Sequence, residues 1–167
     1  MLFASDQNWL EWALYGLVCT TLVLLLCFLL IRDFQRIRQL KLGLACEVSV
    51  GQELDKLIRP EAHPYFVFHD VPSDTSTIDH VAITPYGIFV IETRARTHPL
   101  DTHGQPQCTV AVENERLRFP GWSERRPLRK TRQAAVWLRQ WLRRECGIEV
   151  PVEGVLVLPG WQIDLER

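Results

Sequence analysis

An uncharged apolar run near the N-terminus constrains this chain more than any other feature. Residues 12 to 31 read WALYGLVCTTLVLLLCFLLI and contain no Asp, Glu, Lys or Arg. As a helix, this run is about 30 Å long, which matches the thickness of the hydrocarbon core of a bilayer. The run therefore predicts one transmembrane helix.

A secretory signal peptide is the alternative interpretation of the same run. The residues before it include Asp6 and Glu11 but no Lys or Arg, and no small-residue cleavage motif follows it. Signal peptides begin with positive charge and have a shorter apolar stretch. We therefore predict a membrane anchor that stays in the protein.

The charges beside the span predict its orientation. Four basic residues and one acid lie between residues 32 and 41, whereas the N-terminal flank has no positive charge. Because positive residues stay on the cytoplasmic side, the bulk of the chain should be cytoplasmic. We therefore predict a single-pass protein of the cell membrane. Its segments would be an extracytoplasmic N-terminus (1–11), a transmembrane helix (12–31), a basic juxtamembrane linker (32–41) and a cytoplasmic domain (42–167).

The stretch STIDHVAITPYGIFVIETRAR, residues 76 to 96, predicts a β-hairpin. Two alternating runs rich in Val, Ile and Phe flank a Thr-Pro-Tyr-Gly turn, in which Pro fixes φ and Gly ends the turn. With Pro85 and Tyr86 as the loop, the opposed pairs are Thr84 with Gly87, Ile83 with Ile88, Val81 with Val90, and Asp79 with Glu92. Two acids should therefore face each other at the outer end of the hairpin.

Opposed carboxylates need a neutralising partner, because like charges on facing strand positions destabilise a sheet. Mg²⁺ or Mn²⁺ bound by Asp79 and Glu92 would supply it, since Mg²⁺ takes one or two carboxylates together with water and phosphate oxygens. Two alternatives stay open at this point. One acid could point to solvent, or a bulge could shift the register by one residue.

The remaining segments predict a mixed α/β domain. Residues 42 to 58 have Leu44, Val48, Leu54 and Ile58 at helical spacing, with Glu47 facing inward or along the edge of the core. We expect a strand at 65–71, a strand or hairpin at 108–119, and a short buried strand at 152–159. This order of elements predicts an α/β or α+β sandwich with a mixed sheet.

A basic amphipathic helix is predicted between residues 125 and 144, which contain eight basic residues and no acid. Pro127 suits its first turn. One flank carries Arg129, Arg132, Arg139 and Arg143, which could contact nucleic-acid phosphates or anionic lipid headgroups. A solvated outer face with snorkelling arginines is the alternative.

Together these residues resemble a known family. They are similar to the nuclease-related domain (NERD) family. The resemblance lies in a helix with Gly-x-x-x-Glu, an FHD strand, the segment IDHV, a turn with Gly, the segment GIFVIETR and then a basic helix. That family belongs to the PD-(D/E)xK, restriction-endonuclease-like superfamily, and the resemblance covers roughly residues 41 to 162. It implies a mixed β-sheet core flanked by helices.

The resemblance also implies a catalytic site. Asp79 and Glu92 would bind Mg²⁺ or Mn²⁺, Glu47 would complete the metal site, and the residue two beyond Glu92 would be a lysine. Here that residue is Arg94, which keeps a positive charge but cannot act as a base. Two further departures are Cys46, where the family usually has glycine, and Lys130, where it tends to have Gln. Gln133 lies one turn later.

Two functions follow from the resemblance. The first is a membrane-anchored, metal-dependent nuclease that hydrolyses phosphodiester bonds at the cytoplasmic face, with DNA favoured over RNA and a bound metal activating water. The second is a catalytically weakened module that binds nucleic acid or a protein partner at the membrane. The retained acids Glu47, Asp79 and Glu92 favour the first function, and Arg94 favours the second. A purely structural membrane protein would leave the crowded acids unexplained.

Overall fold

The computed structural model describes residues 4–58, 65–74 and 76–165. The chain divides into two units, Met1–Lys41 and Leu42–Arg167. Helix α1, Ala4–Asp55, includes an 18-residue stretch with a mean hydropathy of 2.7, none of which is buried. By length and composition this helix could cross a membrane, as the sequence predicts. The predicted linker at 32–41 is helical and continues into the helix predicted at 42–58, which ends at Asp55.

The first sheet of the second unit contains four strands in the order β1-β2-β3-β7. These strands are β1 (Phe66–Pro72), β2 (Thr77–Thr84), β3 (Gly87–Thr93) and β7 (Val152–Val157). The pairs β1–β2 and β2–β3 are antiparallel, while β3–β7 is parallel. Parallel neighbours need a long crossover, and here residues 94 to 151 supply it.

The hairpin register of β2 and β3 confirms the sequence prediction. Thr84 pairs with Gly87, Ile83 with Ile88, and Val81 with Val90. The Thr84 hydroxyl donates to the Gly87 carbonyl at 2.9 Å and accepts the Tyr86 N–H at 3.1 Å, which closes the two-residue loop. Gly87 has φ of 145°, and a Cβ there would lie 3.1 Å from the Pro151 carbonyl oxygen, so a side chain does not fit.

A second sheet has the order β6-β5-β4-β8. Its strands are β4 (Thr109–Glu113), β5 (Arg116–Phe119), β6 (Trp122–Glu124) and β8 (Gln162–Leu165). The predicted hairpin at 108–119 forms, with Asn114 and Glu115 both at positive φ, as a tight hairpin turn requires. Val110, Leu117, Phe119, Leu158 and Trp161 form a buried core of this sheet. The fold therefore has two mixed sheets, where the sequence indicated one.

Helix α2, Arg126–Trp141, packs on the first sheet and is followed by a π-helical turn, Leu142–Cys146. Its buried face contributes Ala134, Ala135 and Leu138 to a core with strand residues such as Val90 and Val152. A Cβ on Gly154 would lie 2.9 Å from the Thr131 carbonyl oxygen, so α2 approaches β7 at backbone distance. This close packing positions the first turns of α2 beside the end of β3.

Two predictions of burial are wrong. On α1, Leu44 and Val48 are 63% and 49% exposed, whereas Gly51, which follows on the same helix face, is buried. Ile58, beyond the end of the helix, is 41% exposed. Small Gly51, rather than the apolar residues, lets this part of α1 approach the sheet. The strand predicted as buried at 152–159 forms as β7, but it lies at the edge of the first sheet and Val155 is 38% exposed. The mixed α/β class with an apolar N-terminal helix is confirmed.

Candidate functional site

The two hairpin acids lie together at the outer end of β2 and β3. The last paired residues are His80 and Ile91, and the same register places Asp79 opposite Glu92 one step further. The backbone ladder stops there because Asp79 Oδ2 accepts the Thr93 N–H at 2.7 Å. Asp79 is 9% exposed and Glu92 is fully buried. Neither the solvent-facing acid nor the shifted register, the two alternatives to opposed acids, is observed.

Two cations neutralise Glu92. Lys130 Nζ donates to Glu92 Oε2 at 2.7 Å, and Arg94 Nη2 donates to the same oxygen at 3.1 Å. Arg94 Nη1 also lies 3.9 Å from Asp79 Oδ2. Because the Glu92 side chain is only 1% exposed, these two contacts matter more than they would at the surface. The negative charge of the hairpin acids is therefore compensated by Arg94, which follows β3, and by Lys130, which lies on α2.

The second oxygen of Glu92 has no such partner. Among the described residues, nothing hydrogen-bonds to Glu92 Oε1, although the atom is buried. Burial raises the pKa of Glu92 and Asp79 raises it further, while Lys130 and Arg94 act against the shift. A buried acceptor without a donor is uncommon in proteins and is expected to attract a ligand or water.

Glu47 approaches the same acids from α1. It is half-buried, and burial, Asp79 and Asp70 each raise its pKa, whereas Arg94 lowers it. Within the described ranges, no group of three or more His, Cys, Asp and Glu side chains is arranged to hold a metal ion. Glu47 is an electrostatic neighbour of Asp79 and Glu92, and metal binding by these acids stays a prediction.

A histidine pair holds α1 against β1 and β2. His69 and His80 approach each other at 2.8 Å through their Nδ1 atoms, and His69 Nε2 lies 3.1 Å from Asp55 Oδ1. A Cβ on Gly51 would lie 3.3 Å from both rings, so glycine allows this contact one turn after Glu47. Burial and His69 lower the pKa of His80. The sequence contains no motif that links these histidines.

The four arginines predicted for nucleic-acid binding lie in different surroundings. Arg139 donates to the Val152 carbonyl at 2.8 Å, Arg132 pairs with Glu115 at 2.8 Å, and Arg143 lies 3.5 Å from Glu149. Arg129 lines a cavity of about 390 Å³ together with Arg132. Their contact with nucleic acid stays a prediction.

A different cavity opens beside the acids. It measures about 410 Å³ and is lined by Arg94, Arg96, Glu124, Arg126, Pro127 and Lys130. The basic α2 residues that line it, Arg126 and Lys130, are not those predicted from the arginine flank. A sequence signal for Lys130 did exist, since it lies three residues after buried Pro127 and four before buried Ala134, on one helix face. Gln133, in contrast, is exposed.

Comparison with protein families agrees with this geometry. Residues 42–159 match the family model NERD, described as nuclease-related domain. The matched range contains Glu47, Asp79, Glu92, Arg94 and Lys130 and covers more than half of the chain. No curated protein and no solved structure matches the chain. The family points to a nuclease-related function and to nucleic acid in general, and the chain belongs to the nuclease-related domain (NERD) family.

Proposed function

We propose that this chain is a membrane-anchored, metal-dependent nuclease that hydrolyses phosphodiester bonds at the cytoplasmic face of the cell membrane. One observation carries the proposal. Asp79 and Glu92 are buried side by side at the end of the hairpin, and Glu92 Oε1 has no partner among the described residues. Buried carboxylates are costly, and a metal site is a common reason for them.

The residues present fit a hard divalent cation. Mg²⁺ or Mn²⁺ needs only one or two protein carboxylates when water and substrate phosphate oxygens complete the shell. Asp79 and Glu92 would supply them, with Glu47 as the nearby third acid. When bound, such an ion stabilises negative charge on the phosphate and lowers the pKa of a water molecule.

The side chains around the acids have separate roles in this proposal. The Thr93 N–H holds Asp79 through Oδ2, which fixes the carboxylate on the sheet. Arg94 is anchored by its own contacts to Glu92 and to the Thr93 carbonyl, and its guanidinium can bind a phosphate by two hydrogen bonds. Glu47, whose pKa is raised by burial, is suited to exchange a proton with water closer to neutral pH than an ordinary carboxyl.

The N-terminal helix and the exposed arginines of α2 suggest where the protein would bind its substrate. The apolar stretch of α1 would anchor the chain in the bilayer through residues 12–31, and the basic residues that follow would keep the second unit in the cytoplasm. Nucleic acid is the proposed partner, with DNA ahead of RNA. Arg129 and Arg126, which have exposed side chains on α2, could contact the phosphate backbone.

A second function has one specific observation in its favour. Lys130 and Arg94 already neutralise Glu92, so the acids do not require a metal ion to be tolerated. In that case the nuclease fold would bind nucleic acid or a protein partner without cutting. The two functions differ in whether Glu92 is needed for strand cleavage.

A cleavage assay with the chain of residues 1–167 in detergent or nanodiscs separates them. Wild-type protein with Mg²⁺ or Mn²⁺ is expected to nick supercoiled plasmid, and Asp79→Asn and Glu92→Gln should each reduce nicking at least about 100-fold. Glu53→Gln is the matched control, because Glu53 is exposed and pairs with Lys56 on the surface. Binding without cutting supports the second function. Cutting that survives Glu92→Gln rules out the proposed site.

A further inference from the structure

We propose that Lys130, on helix α2, is a catalytic cation of this site. Its ammonium contacts Glu92 in the free protein and would contact the phosphate of the substrate during cleavage. This inference rests on the proposed nuclease function and names the residue that handles the substrate's charge. Nothing in the hairpin sequence indicates it, because Lys130 lies 38 residues after Glu92 along the chain.

The geometry of Lys130 leaves one donor for a substrate. An ammonium carries three N–H donors. One is used by Glu92 Oε2 at 2.7 Å, and one by the Thr77 carbonyl at 3.3 Å. The side chain is 28% exposed and lines the cavity of about 410 Å³ beside the acids. The third donor is thus available to an oxygen atom that enters this cavity.

Arg94 lines the same cavity and contacts the same carboxylate, but it comes from the end of β3 rather than from α2. Its Nη1 donates to the Thr93 carbonyl at 2.9 Å, and its Nη2 donates to Glu92 at 3.1 Å. Lys130 is therefore the cation that reaches Glu92 from α2, and its remaining N–H would join Arg94 in binding a phosphate.

The cavity provides a second reason to place the phosphate near Lys130. Arg126, one turn before Lys130 on α2, lines the same space, and no ion pair of Arg126 exists within the part of the chain that the structure describes. Arg96, in contrast, binds both oxygens of Glu124 at 2.8 and 2.6 Å. A phosphodiester in this cavity would meet Lys130 next to the acids and Arg126 further out.

Exchanging the two cations tests the inference. Lys130→Gln is expected to reduce plasmid nicking at least about 100-fold, with the control Lys56→Gln unchanged because Lys56 is exposed and pairs with Glu53. The double variant Arg94→Lys/Lys130→Gln returns a lysine to the strand beside Glu92. It should recover at least about tenfold of the activity lost in Lys130→Gln, because an ammonium is restored beside the same oxygen of Glu92, from the strand instead of from α2.

Metal binding supplies a readout that does not depend on turnover. Because Lys130 and a cation compete for Glu92, Lys130→Gln should bind Mn²⁺ about tenfold more tightly than wild type by calorimetry while it cuts more slowly. A lysine that only holds the acids in place would give weaker metal binding together with slower cutting.

The possible results separate the role of Lys130 from the proposed nuclease function. Lys130→Gln that cuts at the wild-type rate, a double variant no better than Lys130→Gln, or weaker Mn²⁺ binding in Lys130→Gln would each overturn the role of Lys130 and leave the proposed nuclease intact. Wild-type protein that neither cuts nor binds Mn²⁺ would remove the proposed function, and this inference with it.

Discussion

The ion pair between Lys130 and Glu92 should be a measurable part of the stability of the metal-free protein. Glu92 is 1% exposed at its side chain, and two donors share its Oε2 atom. Among the described residues, removing Lys130 leaves Arg94 as the one remaining donor to this buried carboxylate. A hydrogen bond to a charged group contributes about 1.5–3 kcal/mol, and the loss should lie near the middle of that range because Arg94 remains.

A double-mutant cycle measures this coupling. We expect Lys130→Gln to lower the free energy of unfolding by about 2 kcal/mol, which corresponds to about 8 °C in melting temperature for a domain of this size. In the background of Glu92→Gln the same substitution should cost less than about 0.5 kcal/mol, because no buried charge remains to be left unpaired. The melt can be followed by tryptophan fluorescence, since Trp122 and Trp161 pack in the second core.

The unfolding measurement needs metal-free protein and a control at an exposed lysine. A chelator removes divalent cations, and the chain of residues 1–167 is measured in detergent near pH 7.5. Lys56→Gln should shift the melting temperature by less than about 1 °C, because Lys56 is 67% exposed and surface ion pairs contribute little. Equal costs of Lys130→Gln in the presence and absence of Glu92 would refute the buried ion pair.

Three further predictions can be checked on the same protein. Mn²⁺ should raise the melting temperature of wild type and have a smaller effect on Asp79→Asn, and a wild type insensitive to Mn²⁺ at millimolar levels would exclude the metal site. The pKa of Glu124 is lowered, chiefly by its hydrogen bonds from Arg96, so its contribution to stability is present above the unfolded value of 4.5 and is lost as pH falls through the lower folded value. Acid titration should therefore show a shallower loss of stability in Glu124→Gln than in wild type. A C-terminal reporter that is active only outside the cytoplasm should stay silent, and a signal from it would reverse the predicted orientation.

Local patterns in the sequence determined the secondary-structure elements and the register of the hairpin. Alternating apolar residues on both sides of Thr-Pro-Tyr-Gly specify two strands and a two-residue loop, and the loop length sets which residues face each other. The opposition of Asp79 and Glu92 follows from that count, because every contact in a hairpin is close in sequence. The apolar span at 12–31 and the resemblance to the NERD family were also evident from the residues alone. The roles of Glu47, Asp79, Glu92 and Arg94, and the metal, stay predictions.

Tertiary structure decided which groups meet the two acids. Helical periodicity predicts which side of α2 is buried, but it does not indicate which strand that side covers. Only the close approach of α2 to β7, permitted by Gly154, sets the position of Lys130 beside Glu92. The parallel pairing of β4 with β8 and the contact of Gly51 with two histidines likewise join residues far apart in sequence. Such contacts depend on packing across the whole domain, whereas the hairpin depends on a few neighbouring residues, and this difference separates what the sequence could predict from what it could not.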